Sequence, residues 1–371
     1  MSSFPSRAIL TIDLAALQNN YETLQKIVSP AECAAVVKAN AYGLGLLEVV
    51  NALVAAGCKT FFVASLDEAV SLREAKINQT IYVFDGVLPA APPYFIEYNI
   101  RPVLNSIEQI HYWMQFLQSR NIQGYPASIH IDTGMNRLGL EKKDLIALED
   151  NNNLKKITPS LIMSHLACAD DVDNPMNGVQ LEKFQAVTSY FPDVEKSLAN
   201  SAGLFLGQKY HFDLVRAGIS LYGGNVQPHL QNKMSRVVKL ESQIIQIREC
   251  PKGGTVGYGA TQTLKRDSQL ATLAIGYADG YFRALSARSK KQGAYVVIHG
   301  QRFPIVGRIS MDLITVDITD CHDQSISVGD FAQLIGPDIS IDELAHWADT
   351  IGYEVLTDLG ARHKLVYKNK L

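Results

Sequence analysis

Long apolar runs are missing from this chain of 371 residues. None approaches the roughly 20 residues a helix needs to cross a bilayer, so no membrane-spanning segment is expected. An excess of either charge is missing too. The 34 Lys and Arg against 37 Asp and Glu leave a net charge of −3, which offers no electrostatic footprint for nucleic acid or an anionic membrane. Cysteine is sparse: Cys33, Cys58, Cys168, Cys250 and Cys321 are scattered, odd in number and without paired spacing. That excludes a disulfide framework or a zinc site and points to reduced thiols in a cytoplasmic protein. The opening stretch, MSSFPSRAILTIDLAAL, has a proline and an early aspartate where a secretory signal needs a continuous apolar core. No repeat of 20–50 residues, charge block or low-complexity tract is present. No proline-rich or serine-rich linker occurs either, so domains should pack firmly on one another.

What is present is an ordinary globular composition, 47% hydrophobic and 19% charged. The length exceeds that of a usual single core, so two domains are expected. Asp13 stands as an N-cap before Leu14, Leu17, Tyr21, Leu24 and Val28, which recur at helical spacing. Strand-like runs follow at Ala34–Val37, Thr60–Ala64, Thr80–Phe84, Arg101–Leu104, Ala127–Ile131, Leu161–Ser164, Lys196–Ala199 and Asp213–Ala217. Helical candidates lie between several of them, including Leu46–Ala56, Leu66–Glu74, Ile107–Gln118 and Val179–Tyr190. Eight strands in such alternation predict an α/β fold, an N-terminal (β/α)8 TIM barrel. After about Gly224 the character changes to β-rich segments separated by glycine turns. A barrel over residues 1–233 is therefore expected, followed by a mainly β domain over 234–371, which residues 1–11 join. Near the end, Ser340 and Glu343 form a capping-box pattern before Leu344 and Trp347, and Gly352 is expected to stop that helix.

Barrel chemistry sits where the strands end. The first predicted barrel strand ends in Lys38, within AAVVKANAYGLG (Ala34–Gly45). A lone lysine after a strand is usually a solvated charge. Apolar and small neighbours leave this one little water, which lowers an amine's proton affinity and makes it a plausible Schiff-base nucleophile. Other strand ends carry Asp132–Arg137, His165, Asn200–Ser201 and Arg216–Ile219, so polar groups gather at one rim. Taken singly, each has a plain structural reading: a core histidine, a structural arginine, an ordinary glycine turn. In the β domain, TVGYGAT sets Tyr258 between two glycines, which favours an exposed ring at a turn over a packed one. RISMD (Arg308–Asp312) and IGYADGY, with Tyr277, read alone as common turns.

VVKANAYGLG closely resembles the lysine segment of the alanine racemases, and at least six separated segments match that family in order. The resemblance implies pyridoxal 5'-phosphate (PLP) as cofactor and interconversion of L- and D-alanine. It implies that Lys38 binds PLP and is one catalytic base. Tyr258 matches the second base on the opposite face, as racemisation requires a proton to leave one side of Cα and return to the other. Arg137 matches the arginine on the PLP phenolic oxygen and at the substrate. Arg216 matches the one facing the ring nitrogen, and His165 the histidine that bonds that arginine. Because arginine stays protonated it cannot give the ring a proton, and the implied consequence is a restrained electron sink that resists transamination. Tyr42, Asn200, Ser201, Gly218, Ile219 and Tyr353 match the phosphate cup. Met311, Asp312 and Tyr277 match substrate contacts and an entrance tyrosine. One position departs from the pattern: where many members carry a carbamylated lysine, this sequence has His130, so a different group must orient Arg137. The resemblance further implies a homodimer with sites shared between subunits, no metal, and D-alanine supply for peptidoglycan in a bacterial cytoplasm. Rival readings are a racemase of broader specificity, for serine or lysine, a barrel-type decarboxylase, and a non-catalytic PLP carrier. The decarboxylase lacks its glycine-rich loop and cysteine–aspartate pair here, and a carrier would lack the β domain.

Overall fold

A computed structural model describes residues 6–150, 157–227, 231–287, 292–321 and 326–369. The chain opens with strand β1 (Ala8–Asp13). The Asp13 side chain then accepts from Ala16 N at 3.0 Å and caps the helix Leu14–Val28, which buries Leu14, Leu17, Tyr21, Leu24 and Val28. Next come β2 (Glu32–Val36), β3 (Thr60–Val63), β4 (Thr80–Val83), β5 (Arg101–Leu104), β6 (Pro126–His130), β7 (Thr158–Met163), β8 (Glu195–Ser197) and β9 (Leu214–Ala217). They form one parallel sheet in the order β8-β7-β6-β5-β4-β3-β2-β9. Helices 46–55, 66–74, 92–97, 107–119, 142–150 and 175–188 lie in the connections. The expected eight-stranded barrel is thus found, nearly closed. Its seam between β8 and β9 has no strand ladder, and single bonds such as Arg216 N to Ala199 O (3.0 Å) bridge it. Both faces of the sheet are covered, and Phe61, Phe62, Ile81, Val103, Ile129 and Ile162 are all fully buried.

The second domain contains β10 (Val238–Cys250), β11 (Thr255–Val256), β12 (Gln262–Thr263), β13 (Ser268–Leu273), β14 (Tyr295–Ile298), β15 (Gln301–Pro304), β16 (Ile314–Asp317), β17 (Phe331–Ile335) and β18 (Lys364–Lys368). Its main sheet runs β15-β14-β17-β10-β1-β18, with β13 bridging β10 and β16. β1 lies between β10, antiparallel (Leu10 opposite Leu240), and β18, parallel (Ile9 opposite Lys364). Residues 8–13 therefore belong to the second sheet; residues 1–5 lie outside the described part. One correction concerns the terminal helix. Ser340 Oγ accepts from Glu343 N at 3.0 Å and caps Ile341–Ala348 as expected, but Gly352 does not end that helix. Asp349, in the left-handed conformation (φ 60°), ends it, and Gly352 begins a further helix, Gly352–Asp358, which carries Tyr353. A short polar side chain tolerates that conformation, so a glycine was not needed there.

The two parts interlock. Tyr367 donates its hydroxyl to Leu44 O (3.0 Å), Asp342 accepts from Asn225 N (3.0 Å), and one hydrophobic cluster runs through both. No described helix is long and apolar enough to cross a membrane.

Candidate active site

Lys38 follows the last barrel residue of β2 by two positions, at the mouth of the barrel. Residues 39–42 then take left-handed conformations (φ 53–57°), and Gly43 (φ 82°) and Gly45 (φ 98°) complete the reversal. For Ala39 and Ala41 this is costly backbone, held by specific bonds. Glu68 accepts from Asn40 N (3.0 Å) and Ala64 N (2.9 Å), while Asn40 Oδ1 accepts from Leu46 N (2.8 Å). Lys38 Nζ lies 5.9 Å from the Phe84 ring. Its proton affinity is lowered, first by lost hydration among the surrounding walls and then by the Arg137 cation, against the pull of Glu68 and Asp85. The amine is accessible through the mouth even though protein surrounds it, which suits a nucleophile that must meet a ligand.

Arg216, on β9, is fully buried. Its terminal nitrogens donate to Ser197 O and Oγ, Ser164 O and Leu198 O. Those four acceptors use all four terminal hydrogens, so only Nε is left, buried and without a partner. Burial brings its pKa down to about 9, still high enough to keep the cation at neutral pH. The His165 ring therefore does not bond Arg216: its Nε2 lies 3.4 Å from Asn200 Nδ2 instead. This differs from the pairing the resemblance implies, because the arginine has no terminal hydrogen to spare. His165 is held neutral by burial and by the nearby Arg216 and Arg137 charges.

Ser201 joins two turns. Its Oγ accepts from Gly218 N (2.7 Å) and Ser220 N (3.5 Å), which leaves its own hydrogen for another acceptor. Gly218 could carry no side chain, since a Cβ would meet Tyr42 Oη at 2.4 Å. Ile219 opens the 3-10 turn Ile219–Tyr222, and Asn200 Oδ1 accepts from Gly203 N (2.9 Å). The Tyr42 ring lies 4.6 Å from Tyr222 and 6.0 Å from Tyr353, centroid to centroid. Tyr42, Ser201, Gly218, Ile219 and Tyr353 thus converge on one place: hydroxyls and a helix-type N-terminus that together suit an anion.

Arg137 is exposed on the loop after β6. Asp132 shapes that loop by accepting from Gly134 N (2.8 Å), Met135 N (2.9 Å) and Asn136 N (3.0 Å). His130 ends β6, buried, with Nδ1 2.8 Å from Asn105 Oδ1. The Asn105 amide nitrogen already donates to Phe84 O and Val103 O, so His130 Nδ1 must be the donor and Nε2 keeps its lone pair. Burial, with Arg216 and Arg137 nearby, brings the His130 pKa down to about 4. Two buried polar groups that motif reading missed complete this shell. Gln180 donates to Thr133 Oγ1 (3.1 Å) and His165 O (2.8 Å), and Thr133 meets Ser164 Oγ at 2.8 Å. Gln180 sits mid-helix and Asn105 at a strand end, with no local signal to mark either.

The second domain presents its candidates outward. Tyr258 is 71% exposed, Met311 53% and Tyr277 43%. Gly257 (φ 74°) and Gly259 (φ 73°) flank Tyr258 and lie against Arg308. Tyr277 N donates to Ser310 O (3.1 Å) and Ala278 N to Met311 O (3.0 Å), while Asp312 Oδ1 accepts from Arg362 (2.7 Å). The bonds of these segments run among themselves and to the chain ends. Among the described residues, no cluster of His, Cys, Asp or Glu could hold a metal ion.

Two family profiles match the chain: "Alanine racemase, N-terminal domain" over residues 12–226 and "Alanine racemase, C-terminal domain" over residues 237–367. A protein of Rhizobium meliloti described as alanine racemase is 44% identical over 365 residues, 96% of each chain. One of Rickettsia canadensis with the same description is 45% identical and covers 98% of this chain and 99% of its own. A crystal structure of alanine racemase from Bartonella henselae with covalently bound pyridoxal phosphate superposes with a TM-score of 0.92. It is 43% identical and covers 98% of this chain and 100% of its own.

Proposed function

The chain belongs to the alanine racemase family, which interconverts L- and D-alanine with pyridoxal 5'-phosphate, and from that premise we propose how its own residues divide the work. The donor set fits the cofactor. Lys38 supplies the attaching amine, and Arg216 Nε, buried and without a partner, suits an unprotonated ring nitrogen. The Ser201 hydroxyl, the Gly218–Ile219 turn, and the Tyr42 and Tyr353 phenols suit the phosphate, with Asn200 bracing the cup and His165 beside it. Arg137 suits the phenolic oxygen and the substrate. The single observation that carries this reading is the orphaned Arg216 Nε.

When bound, the cofactor withdraws electrons from substrate Cα and acidifies its C–H bond. Lys38 Nζ, with its lowered proton affinity, exchanges a proton on one face of Cα. Tyr258 Oη serves the other face, taking the proton from L-alanine while Lys38 returns one; from D-alanine the roles reverse. Met311 N–H and the Tyr277 hydroxyl can donate to the substrate carboxylate, with Asp312, held by Arg362, beside them at the entrance. Since Tyr258, Tyr277 and Met311 face outward, we infer a homodimer in which each subunit's second domain completes its partner's rim. Free thiols at Cys33, Cys58, Cys168 and Cys250 support a reducing, cytoplasmic setting, in which the product D-alanine would serve peptidoglycan.

The test is incubation of PLP-loaded protein with L-alanine in deuterated water, beside Lys38→Ala. The expected result is deuterated D-alanine from the wild type alone. Exchange without inversion would mean that only one face of Cα is served and would overturn the assignment of Lys38 and Tyr258 as two opposed bases.

A further inference from the structure

Asp279 is 1% exposed and carries more polar contacts than any surface role requires. Its Oδ1 accepts from Arg7 Nη2 at 2.7 Å and lies 3.4 Å from Arg362 Nε, while Oδ2 accepts from Gly276 N at 2.9 Å. Its backbone oxygen takes the His363 ring nitrogen (2.8 Å) and Gly360 N (3.2 Å). One buried carboxylate therefore ties together both ends of the chain and the turn 276–280. A buried charge is tolerated only with such pairing, and removing it leaves two arginines competing for other acceptors.

That turn carries Tyr277 and is seated on the Met311 segment. Tyr277 N and Ala278 N donate to Ser310 O and Met311 O. Gly276 packs so closely that a Cβ would lie 2.3 Å from Ser310 O and 2.4 Å from Met311 O. Arg362, which flanks Asp279, also holds Asp312 at 2.7 Å, and Arg7 lies 3.9 Å from the same carboxylate. We propose that Asp279 is a positioning residue for substrate binding: with Arg7 and Arg362 it fixes the turn of Tyr277 against Met311–Asp312 and so sets where those three groups stand. This rests on the reading of Tyr277, Met311 and Asp312 as substrate contacts. Asp279 touches neither substrate nor cofactor; it acts through the turn and through the arginines.

The experiment compares Asp279→Asn, Arg362→Gln and Asp312→Asn as PLP-loaded proteins, measuring KM and kcat for L-alanine, the PLP absorbance spectrum, and amide hydrogen exchange over residues 276–280. Loss of a charge-assisted contact corresponds to a rise in KM of roughly tenfold. Asp279→Asn and Arg362→Gln should show that rise, with kcat changed less than threefold, an unaltered PLP spectrum and faster exchange at 276–278. The Asp279→Asn/Asp312→Asn double variant should have a KM no higher than the worse single one. Arg362 is partly exposed and keeps the test open if Asp279→Asn does not fold. A raised KM for Asp312→Asn with unchanged KM and exchange in the other variants would overturn the proposal. An unchanged KM for Asp312→Asn would instead remove the substrate-contact reading beneath it.

Discussion

Lys38, His130 and His165 are all held below their ordinary proton affinities by lost water and by neighbouring guanidinium groups. For His130 this has a consequence for stability. Its pKa is about 4 in the folded chain and near 6.5 when unfolded, so between those values the unfolded chain binds more protons. Stability contributed by the neutral, buried ring is present above about pH 6.5 and is lost as pH falls toward 4, by about 1.4 kcal/mol per pH unit. Denaturant unfolding at pH 6 and pH 5 should show His130→Gln losing about 1.4 kcal/mol less than the wild type. Equal losses would mean the ring is protonated in the fold. At this scale the sequence was informative about residue type and silent about partners. The flanks of Lys38 pointed to an amine short of water and the glycines beside Tyr258 to an exposed ring, and the structure has both features. That Arg216 spends every terminal hydrogen on strand-end oxygens follows only from how β7, β8 and β9 converge.

At the scale of elements, the proposed phosphate cup depends on two turns brought within one hydroxyl of each other. Gly218 is the pinch point, because its missing side chain is what lets Tyr42 approach. Gly218→Ala should displace the Tyr42 phenol and weaken PLP binding roughly tenfold or more, measured by titrating apoprotein with PLP and following absorbance. Undiminished affinity would show that Tyr42 does not contribute. Strand alternation was legible because most barrel strands are short apolar runs bounded by turn residues; β8, Glu195–Ser197, is the polar exception. The left-handed path through 39–42 was not, since Ala39 and Ala41 give no sign of a conformation imposed by Glu68 and Asn40. The helix break at Asp349 was missed for a similar reason: the sequence offered Gly352 as the obvious stop, and an aspartate took the turn three residues earlier.

At the scale of the whole molecule, the outward-facing Tyr258 predicts cooperation between subunits. Inactive Lys38→Ala and Tyr258→Phe proteins, mixed and allowed to exchange, should recover roughly a quarter of wild-type activity, since half the dimers are hybrids and each has one intact site. No recovery after demonstrated exchange would place both bases in one chain. The division into a barrel and a β domain was visible from the change of periodicity near Gly224, whereas Asp279 could not be seen to join residues 7 and 362 until the chain was folded.

The position of β1 bears on how the molecule is made. Ala8–Asp13 precedes the barrel in the chain, yet both flanking strands, β10 and β18, come from the second domain. The eight barrel strands are all translated before either neighbour exists, and domains emerging from the ribosome fold in that order. β1 thus precedes the whole barrel in synthesis, while both strands that pair with it follow the barrel, so the second sheet can close only after the first domain has been made.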